Sequence, residues 1–385
     1  MPIENPRAEI DGIDAEMLRL LNRRAEIALR VGAVKAGKDA SLVDPTRESQ
    51  VLERLTRENP GPFDATSIEN IFQRIIDESL ALQQSRFHRK SDVRANDLLA
   101  VTEAATVGFL GDPGSFSETA ALGILGDKCK YVSFPTFETL YHGIDVNETD
   151  YIISPLENSL VGSIQRCYDL LASSKLSIVA DVILPVSHFL IGGANATMES
   201  VTTVESHPAA LSQCERFFAA HPNLKRIAGD DTAGSVRRAV ECGDPTRAAI
   251  GARRSANIYG GKILREHIED HSDNFTRFAL LSKSQSDNVD GGKISLILRL
   301  KNEPGSLHNS LRPFVRRNID LTKIESRPIK GQPAEFNFYL DLQAPASDSD
   351  LRGALDEVRE QSASVRYLGR YPTIVLTNEK INEIS

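Results

Sequence analysis

The sequence predicts a multidomain fold: an all-α amino-terminal segment, a two-lobed α/β segment, and a closing βαββαβ segment of ferredoxin-like order. Three observations predict it. Residues 1–90 carry apolar side chains at helical spacing almost throughout. From Thr106 the period shortens, and apolar runs alternate with helical patterns. After a polar break the order becomes strand, helix, strand, strand, helix, strand. The 385 residues are too many for one core. Domains are expected at 1–90, 106–283 and 293–385, with linkers at 91–105 and 284–292.

The first helix is expected from about Pro6 to Ala36, followed by a turn around Gly37–Asp44. Asp44 is a plausible N-cap and Pro45 a first helical residue, so a short helix should run to about Glu58. A third helix is expected from about Ser67 to Arg86. At 100° per residue, Ile10, Ile13, Met17, Leu20, Ala28 and Val31 share one stripe of the first helix, and Arg24 and Lys35 fall inside it. Arg19, Arg23 and Arg30 point the other way. Ile68, Ile71, Phe72, Ile75 and Leu82 mark a stripe of the third helix, with Ser79 and Gln83 in its middle. A buried cation needs a counter-charge, and neither stripe carries an Asp or Glu. A bound anionic small molecule is expected to complete this interior. Helices with so much apolar length should also pair with a second copy.

In the α/β segment the runs TVGFL, YIISPL, SIVADVIL, VTTVES, AAIGA and FALLS read as strands of mainly parallel sheets, divided between two lobes around a cleft. The closing segment reads as ISLILRL, a helix over Gly305–Arg317, IDLTKIES, EFNFYLDL, a helix over Ser347–Glu360, and VRYLGRY.

Composition narrows the partners. The net charge of −8 and the lack of a basic stripe argue against nucleic acid. No apolar run approaches membrane-helix length, and the start has no secretory h-region. Cys129, Cys167, Cys214 and Cys242 show neither C-x-x-C spacing nor metal-ligand spacing with His, and read as buried or half-buried free thiols. A cytoplasmic protein is expected. His267 and His271 lie four apart with no third ligand nearby, so no metal is expected. The spacing of Gly111 and Gly114 is not G-x-G-x-x-G, so no dinucleotide cofactor is expected.

Three residue sets together resemble the bifunctional chorismate mutase–prephenate dehydratase family of phenylalanine biosynthesis, from about residue 5 to 372. The first set is Arg7, Arg24, Lys35, Asp44, Arg47, Glu48, Ser79 and Gln83. The second is GDPGSFSETAA (111–121), SPLENS (154–159), SHPAALSQC (206–214) and NFTRF (274–278). The third is PGSL (304–307) and ESRP (325–328). The resemblance implies a helical mutase, a dehydratase and a regulatory ACT domain, with chorismate, prephenate and phenylalanine as ligands, and a homodimer or larger homo-oligomer.

It also implies roles. Arg24 and Arg47 would bind carboxylates bidentately, and Lys35 and Gln83 would donate to the breaking ether oxygen. Glu48 and the Asp44 backbone would hold the ring hydroxyl. Arg7 lies about 100° from Arg24 on the wheel, and in the family the matching Arg enters from the other protomer. Thr276 would donate to the leaving hydroxyl. Gly114, Ser115, Asn158, Ser206, Gln213, Arg277 and Phe278 would surround prephenate, with backbone N–H groups of the 111–115 turn on a carboxylate. Other readings stay open: Ser206 as a helix cap, Asn158 as a turn residue, Arg277 as a partner of Asp273, Glu48 as a surface partner of Arg47, and Arg24 and Lys35 as cations snorkelling from the edge of the stripe. Gly305, Ser306, Leu307, Glu325, Ser326, Arg327 and Pro328 would bind phenylalanine. The sequence departs from the family with Ser306, where Ala is usual, and His308, where Val is frequent. Two other readings fit parts of the chain: a mutase fused to a two-lobed amino-acid-sensing domain without dehydratase activity, and a mutase–prephenate dehydrogenase.

Overall fold

The computed structural model describes residues 4–36, 45–87, 104–284, 291–332, 335–345 and 347–384. The expected turn over Gly37–Asp44 and most of both expected linkers lie outside them. Among the described residues no helix is long and apolar enough to cross a membrane. The chain divides into two compact units, Met1–Asp92 with Leu298–Val365, and Val93–Ile297 with Arg366–Ser385.

Three helices open the chain: α1 (Glu4–Ala36), α2 (Pro45–Glu58) and α3 (Ala65–Phe87). At 33 residues, α1 is about 50 Å long. Both α1 and α2 pack on α3, where Ile76 is buried with Val51 and Leu52 against it. The expected buried stripe of α1 is corrected here. Ile10, Ile13, Met17, Leu20 and Val31 are each 48–60% exposed in the single chain, and Ile71 on α3 is 40% exposed. One partner helix covers only one strip of so long a cylinder.

The next segment runs β1 (Thr106–Leu110), α4 (Phe116–Leu125), β2 (Lys130–Phe134), α5 (Phe137–Asp145), β3 (Tyr151–Asn158), β4 (Gly162–Ser163), α6 (Gln165–Ser173) and β5 (Ser177–Pro185). It then crosses to a second lobe: β6 (Phe189–Gly192), β7 (Thr203–Ser206), α7 (Pro208–Ser212), α8 (Glu215–Ala220), β8 (Lys225–Ala228), α9 (Thr232–Glu241), β9 (Arg247–Gly251), α10 (Arg253–Tyr259) and β10 (Lys262–Arg265). It returns as β11 (Phe275–Ser282). The remaining elements are β12 (Lys293–Leu300), α11 (Ser306–Arg316), β13 (Leu321–Pro328), β14 (Phe336–Gln343), α12 (Asp348–Gln361), β15 (Ser362–Tyr371), β16 (Thr373–Val375) and α13 (Asn378–Ile384).

Both α/β sheets are mixed, not mainly parallel. The first has the order β16-β5-β11-β3-β1-β2, with β4 on β3. Its β1 is parallel to β2 and β3, but β11 is antiparallel to β3 and β5. The cause is the crossing: β11 re-enters between two strands that run outward, so its direction is reversed. The second sheet, β10-β6-β9-β7-β8, is parallel at β9-β7-β8 and antiparallel at β10-β6-β9. The first sheet's core joins Val107, Phe109, Ile153, Val182, Leu184, Phe278 and Leu280.

The βαββαβ segment forms a sheet in the order β13-β14-β12-β15. The end of the chain differs from the expected 293–385 span. Strand β16 pairs in parallel with β5, and α13 packs against α4, because Ile374 and Leu376 join the first lobe's core. Among the cysteines, Cys167 and Cys214 are buried and Cys129 half-buried, but Cys242 is exposed.

Candidate functional site

In the amino-terminal helices, Arg24 and Ser79 come together as expected. Arg24 Nη1 donates to Ser79 Oγ at 2.5 Å and to Ile75 O at 3.2 Å, joining α1 to α3. Ser79 itself donates to Ile75 O at 2.7 Å. Arg24 is half-buried, and burial holds its guanidinium below its ordinary pKa. Among the described residues it has no carboxylate partner, so an anion placed there would gain a charge-assisted contact. Arg7 and Arg47 are exposed in the single chain. Lys35, Glu48 and Gln83 lie on helices but their side chains are outside the described set, as is Asp44 entirely.

The α/β segment gathers a denser group. Asn158 closes β3 and Thr276 is the second residue of β11, and the two pair directly across the ladder. Leu160 N and Val161 N each donate to Asn158 Oδ1 at 3.1 Å. Those two donors fix the amide, so its Nδ2 faces the other way. Nδ2 donates to Thr276 Oγ1 at 3.0 Å, to Asn274 Oδ1 at 2.8 Å and to Phe275 O at 3.1 Å. Because Thr276 Oγ1 accepts here, its own hydroxyl proton is left to donate elsewhere.

Gln213, arriving from the second lobe, extends the group. Its Nε2 donates to Asn158 Oδ1 at 3.3 Å, and its Oε1 accepts from Asn274 Nδ2 at 3.0 Å. His188 Nε2 lies 2.7 Å from the same Oε1. His188 is 2% exposed, with Phe116 edge-on at 5.8 Å, and burial pushes its pKa below 6.5. Burial thus favours the neutral ring, and Gln213 Oε1, an acceptor, suits the tautomer with its proton on Nε2. Sequence reasoning missed Asn274 and His188. Asn274 opens the NFTRF motif and was available; His188, in an apolar crossing, carried no signal.

Four expected contacts lie elsewhere. Arg277 is on the opposite face from Thr276, as alternation along a strand requires. It pairs with Asp181 at 2.8 Å, not with Asp273. Phe278 is 2% exposed within the first lobe's core. Ser206 donates to Ile250 O at 2.7 Å, tying β7 to β9, while His207 caps α7. The N–H groups expected to bind a carboxylate are already engaged: Gly111 with Phe134 O, Ser115 with Asp112 O, and Gly114 with Glu118 Oε2. Ser115 Oγ caps α4.

The 111–115 turn instead clasps the lobes. Asp112 takes Arg237 Nε and Nη2 at 3.0 and 2.8 Å, Glu118 takes Arg254 Nε at 2.9 Å, and Tyr259 donates to Pro113 O at 2.9 Å. Gly114 has φ +87°, and a Cβ there would sit 2.6 Å from Ser255 Cα, so only glycine permits this closeness.

In the βαββαβ segment, Gly305 (φ +84°) turns the chain into α11. Ser306 lines a polar pocket of about 410 Å³ with Lys301, Glu303, Asn309, Arg312, Glu360 and Gln361. Leu307 follows Ser306 on α11. The second motif is on edge strand β13, with Glu325 and Arg327 half-buried and Ser326 and Pro328 exposed. It does not reach that pocket within one chain.

Comparison with known proteins follows the same division. The chorismate mutase type II family matches residues 6–84, and the prephenate dehydratase family matches residues 107–286. A bifunctional chorismate mutase/prephenate dehydratase from Neisseria gonorrhoeae is 33% identical over 371 residues, 96% of this chain and 97% of its own. A solved prephenate dehydratase from Arthrobacter aurescens, in complex with L-Phe, superposes with TM-score 0.64 at 28% identity, covering 69% of this chain and 89% of its own. A protein described as GqqA, a novel type of quorum quenching acylase, superposes with TM-score 0.63 at 26% identity, over 70% of this chain and 98% of its own. The fold alone therefore does not choose a chemistry; the residues and the full-length relatives do. The chain belongs to the bifunctional chorismate mutase/prephenate dehydratase family.

Proposed function

We propose a division of labour along the chain. The protein rearranges chorismate to prephenate, then decarboxylates and dehydrates prephenate to phenylpyruvate, under feedback inhibition by phenylalanine. We assign the first step to residues 1–90, the second to 106–283 and the inhibition to the βαββαβ segment from 293, read as an ACT domain. We assign its work to the cytoplasm, without cofactor, metal, nucleic acid or membrane.

The first step is pericyclic and needs no proton transfer. The site holds a flexible dianion in its reactive chair and meets charge growing on the ether oxygen. Arg24, already positioned by Ser79 and Ile75 O, takes one carboxylate, and Arg47 the other. Lys35 and Gln83 donate to the ether oxygen, while Glu48 and Asp44 hold the ring hydroxyl. The exposed apolar length of α1 packs against a second copy, which brings Arg7 into its partner's pocket.

In the second step the carboxylate leaves as carbon dioxide. Its bond electrons enter the ring, and the C–O bond opposite breaks. The departing hydroxide takes a proton and leaves as water, and the ring is aromatic. Thr276 supplies the hydrogen bond to that hydroxyl. A threonine is too weak an acid to work unaided, so Asn158 orients it. The reading rests on one observation: the chain Thr276–Asn158–Gln213, with Asn274 and His188 behind it. The test is to supply chorismate without NAD and follow phenylpyruvate. Its appearance supports the reading; prephenate accumulating with no phenylpyruvate refutes the second step.

A further inference from the structure

Behind the catalytic strand lies a buried cluster that neither reaction uses. Asp181 on β5 is 0% exposed. Its Oδ2 accepts from Arg277 Nε at 2.8 Å and from Lys293 Nζ at 2.7 Å. Arg277 Nη2 donates to Tyr371 OH at 3.2 Å, and that hydroxyl lies 2.5 Å from Ser295 Oγ. The Asp181 N–H donates to Pro372 O at 2.9 Å. The contributing strands are informative. Arg277 adjoins Thr276 on β11. Lys293 and Ser295 are on β12, and Tyr371 ends β15. These are the first and last strands of the βαββαβ segment.

We propose that Arg277, held by Asp181, positions Thr276, and that Lys293 and Tyr371 form the joint that carries the state of the βαββαβ segment to that pair. Adjacent residues of a strand face opposite ways, so a rotation or slide of β11 that satisfies Arg277 also moves the Thr276 hydroxyl. Among the described residues the cluster buries the Asp181 carboxylate against the Arg277 and Lys293 cations, which is not the most stable way to fill this space; apolar side chains would serve as well or better. A charged cluster does discriminate between arrangements, because a small shift of β12 or β15 leaves a buried charge underpaired. Arg277 is thus a positioning residue, although it sits inside the motif that carries the donor. The inference rests on Thr276 being that donor.

The test uses the full-length chain with L-phenylalanine as the probe. Lys293→Met and Tyr371→Phe are measured for mutase turnover, for dehydratase kcat and KM with prephenate, and for inhibition. Both are expected to keep mutase turnover, and to keep uninhibited dehydratase kcat within about threefold. The phenylalanine concentration for half-inhibition should rise about tenfold or more. Tyr371→Phe removes one hydroxyl and decides the matter if Lys293→Met does not fold. Arg277→Lys should lower dehydratase kcat about tenfold while KM for prephenate moves less than about threefold. Unchanged inhibition in both folded variants overturns the joint, as does a parent enzyme that phenylalanine does not inhibit. A raised KM with intact kcat in Arg277→Lys would return Arg277 to the substrate. Full dehydratase activity in Thr276→Ala removes the donor underneath, and the inhibition readings distinguish that failure from failure of the joint.

Discussion

Arg24 and Thr276 sit in contrasting surroundings. Arg24 bridges two helices whose apolar surface is largely open in the single chain, with Ile13 60% and Met17 50% exposed. Thr276 is 9% exposed in a group drawn from both lobes of one chain. The lobes are held by ion pairs of their own: the Arg254–Glu118 side chains are 20% and 10% exposed. The contrast teaches where each site obtains its enclosure. The α/β segment closes on itself, so its polar chain is complete in one copy. On the proposed pairing the helices take their enclosure from a second copy, so the first activity should be sensitive to association and the second less so.

The strongest way to break this comparison is Lys35→Ala. Loss of one transition-state donor should cost the mutase step about 10²–10³ in kcat and leave prephenate dehydration intact. Asn158→Ala comes next. It frees the Thr276 hydroxyl to turn, and should lower dehydratase kcat about tenfold to a hundredfold with mutase turnover unchanged. Ile13→Asp places a charge on the exposed α1 face. Mutase specific activity should fall about tenfold on dilution into the nanomolar range, with sedimentation showing a smaller species, while dehydratase activity falls much less.

The smallest effect is on stability. The folded chain holds His188 below the ordinary value of 6.5, while the unfolded chain does not. As pH falls through 6.5 the unfolded chain takes up a proton first, so stability is lost, and the loss ends once pH passes below the folded value. Thermal unfolding should shift downward between about pH 7 and pH 5, and less in His188→Asn.

The sequence revealed those parts whose chemistry is local. The strands YIISPLEN and SIVADVILP were legible because they are apolar on both faces. By contrast KRIA, all four residues exposed at a sheet edge, offers no pattern; β2 and β10 were missed too, and so was β6, which is fully buried but only four residues long. Strand direction was misjudged because no local signal records that β11 returns after a visit to the second lobe. Thr276, Asn158 and Gln213 were grouped by resemblance, and the structure joins them by hydrogen bonds. Arg277 was misplaced by the same resemblance, although the alternation in FTRFALLS puts it opposite Thr276. Asp181 was visible as a lone acid in an apolar run, and only tertiary structure supplies its partners. The apolar stripe of α1 was legible as a stripe, but its burial was not: apolar residues at helical spacing predict cover, and among the described residues Ile10, Ile13 and Met17 stay exposed.

The central claim is that two separate sites act in succession. Its most direct test mixes Lys35→Ala and Thr276→Ala proteins with chorismate and follows phenylpyruvate. Neither variant alone should form it: the first makes no prephenate, and the second makes prephenate that accumulates. The mixture should restore phenylpyruvate, because prephenate released by one protein reaches the intact site of the other. A silent mixture, or a single variant that converts chorismate to phenylpyruvate at the parent rate, would contradict the account.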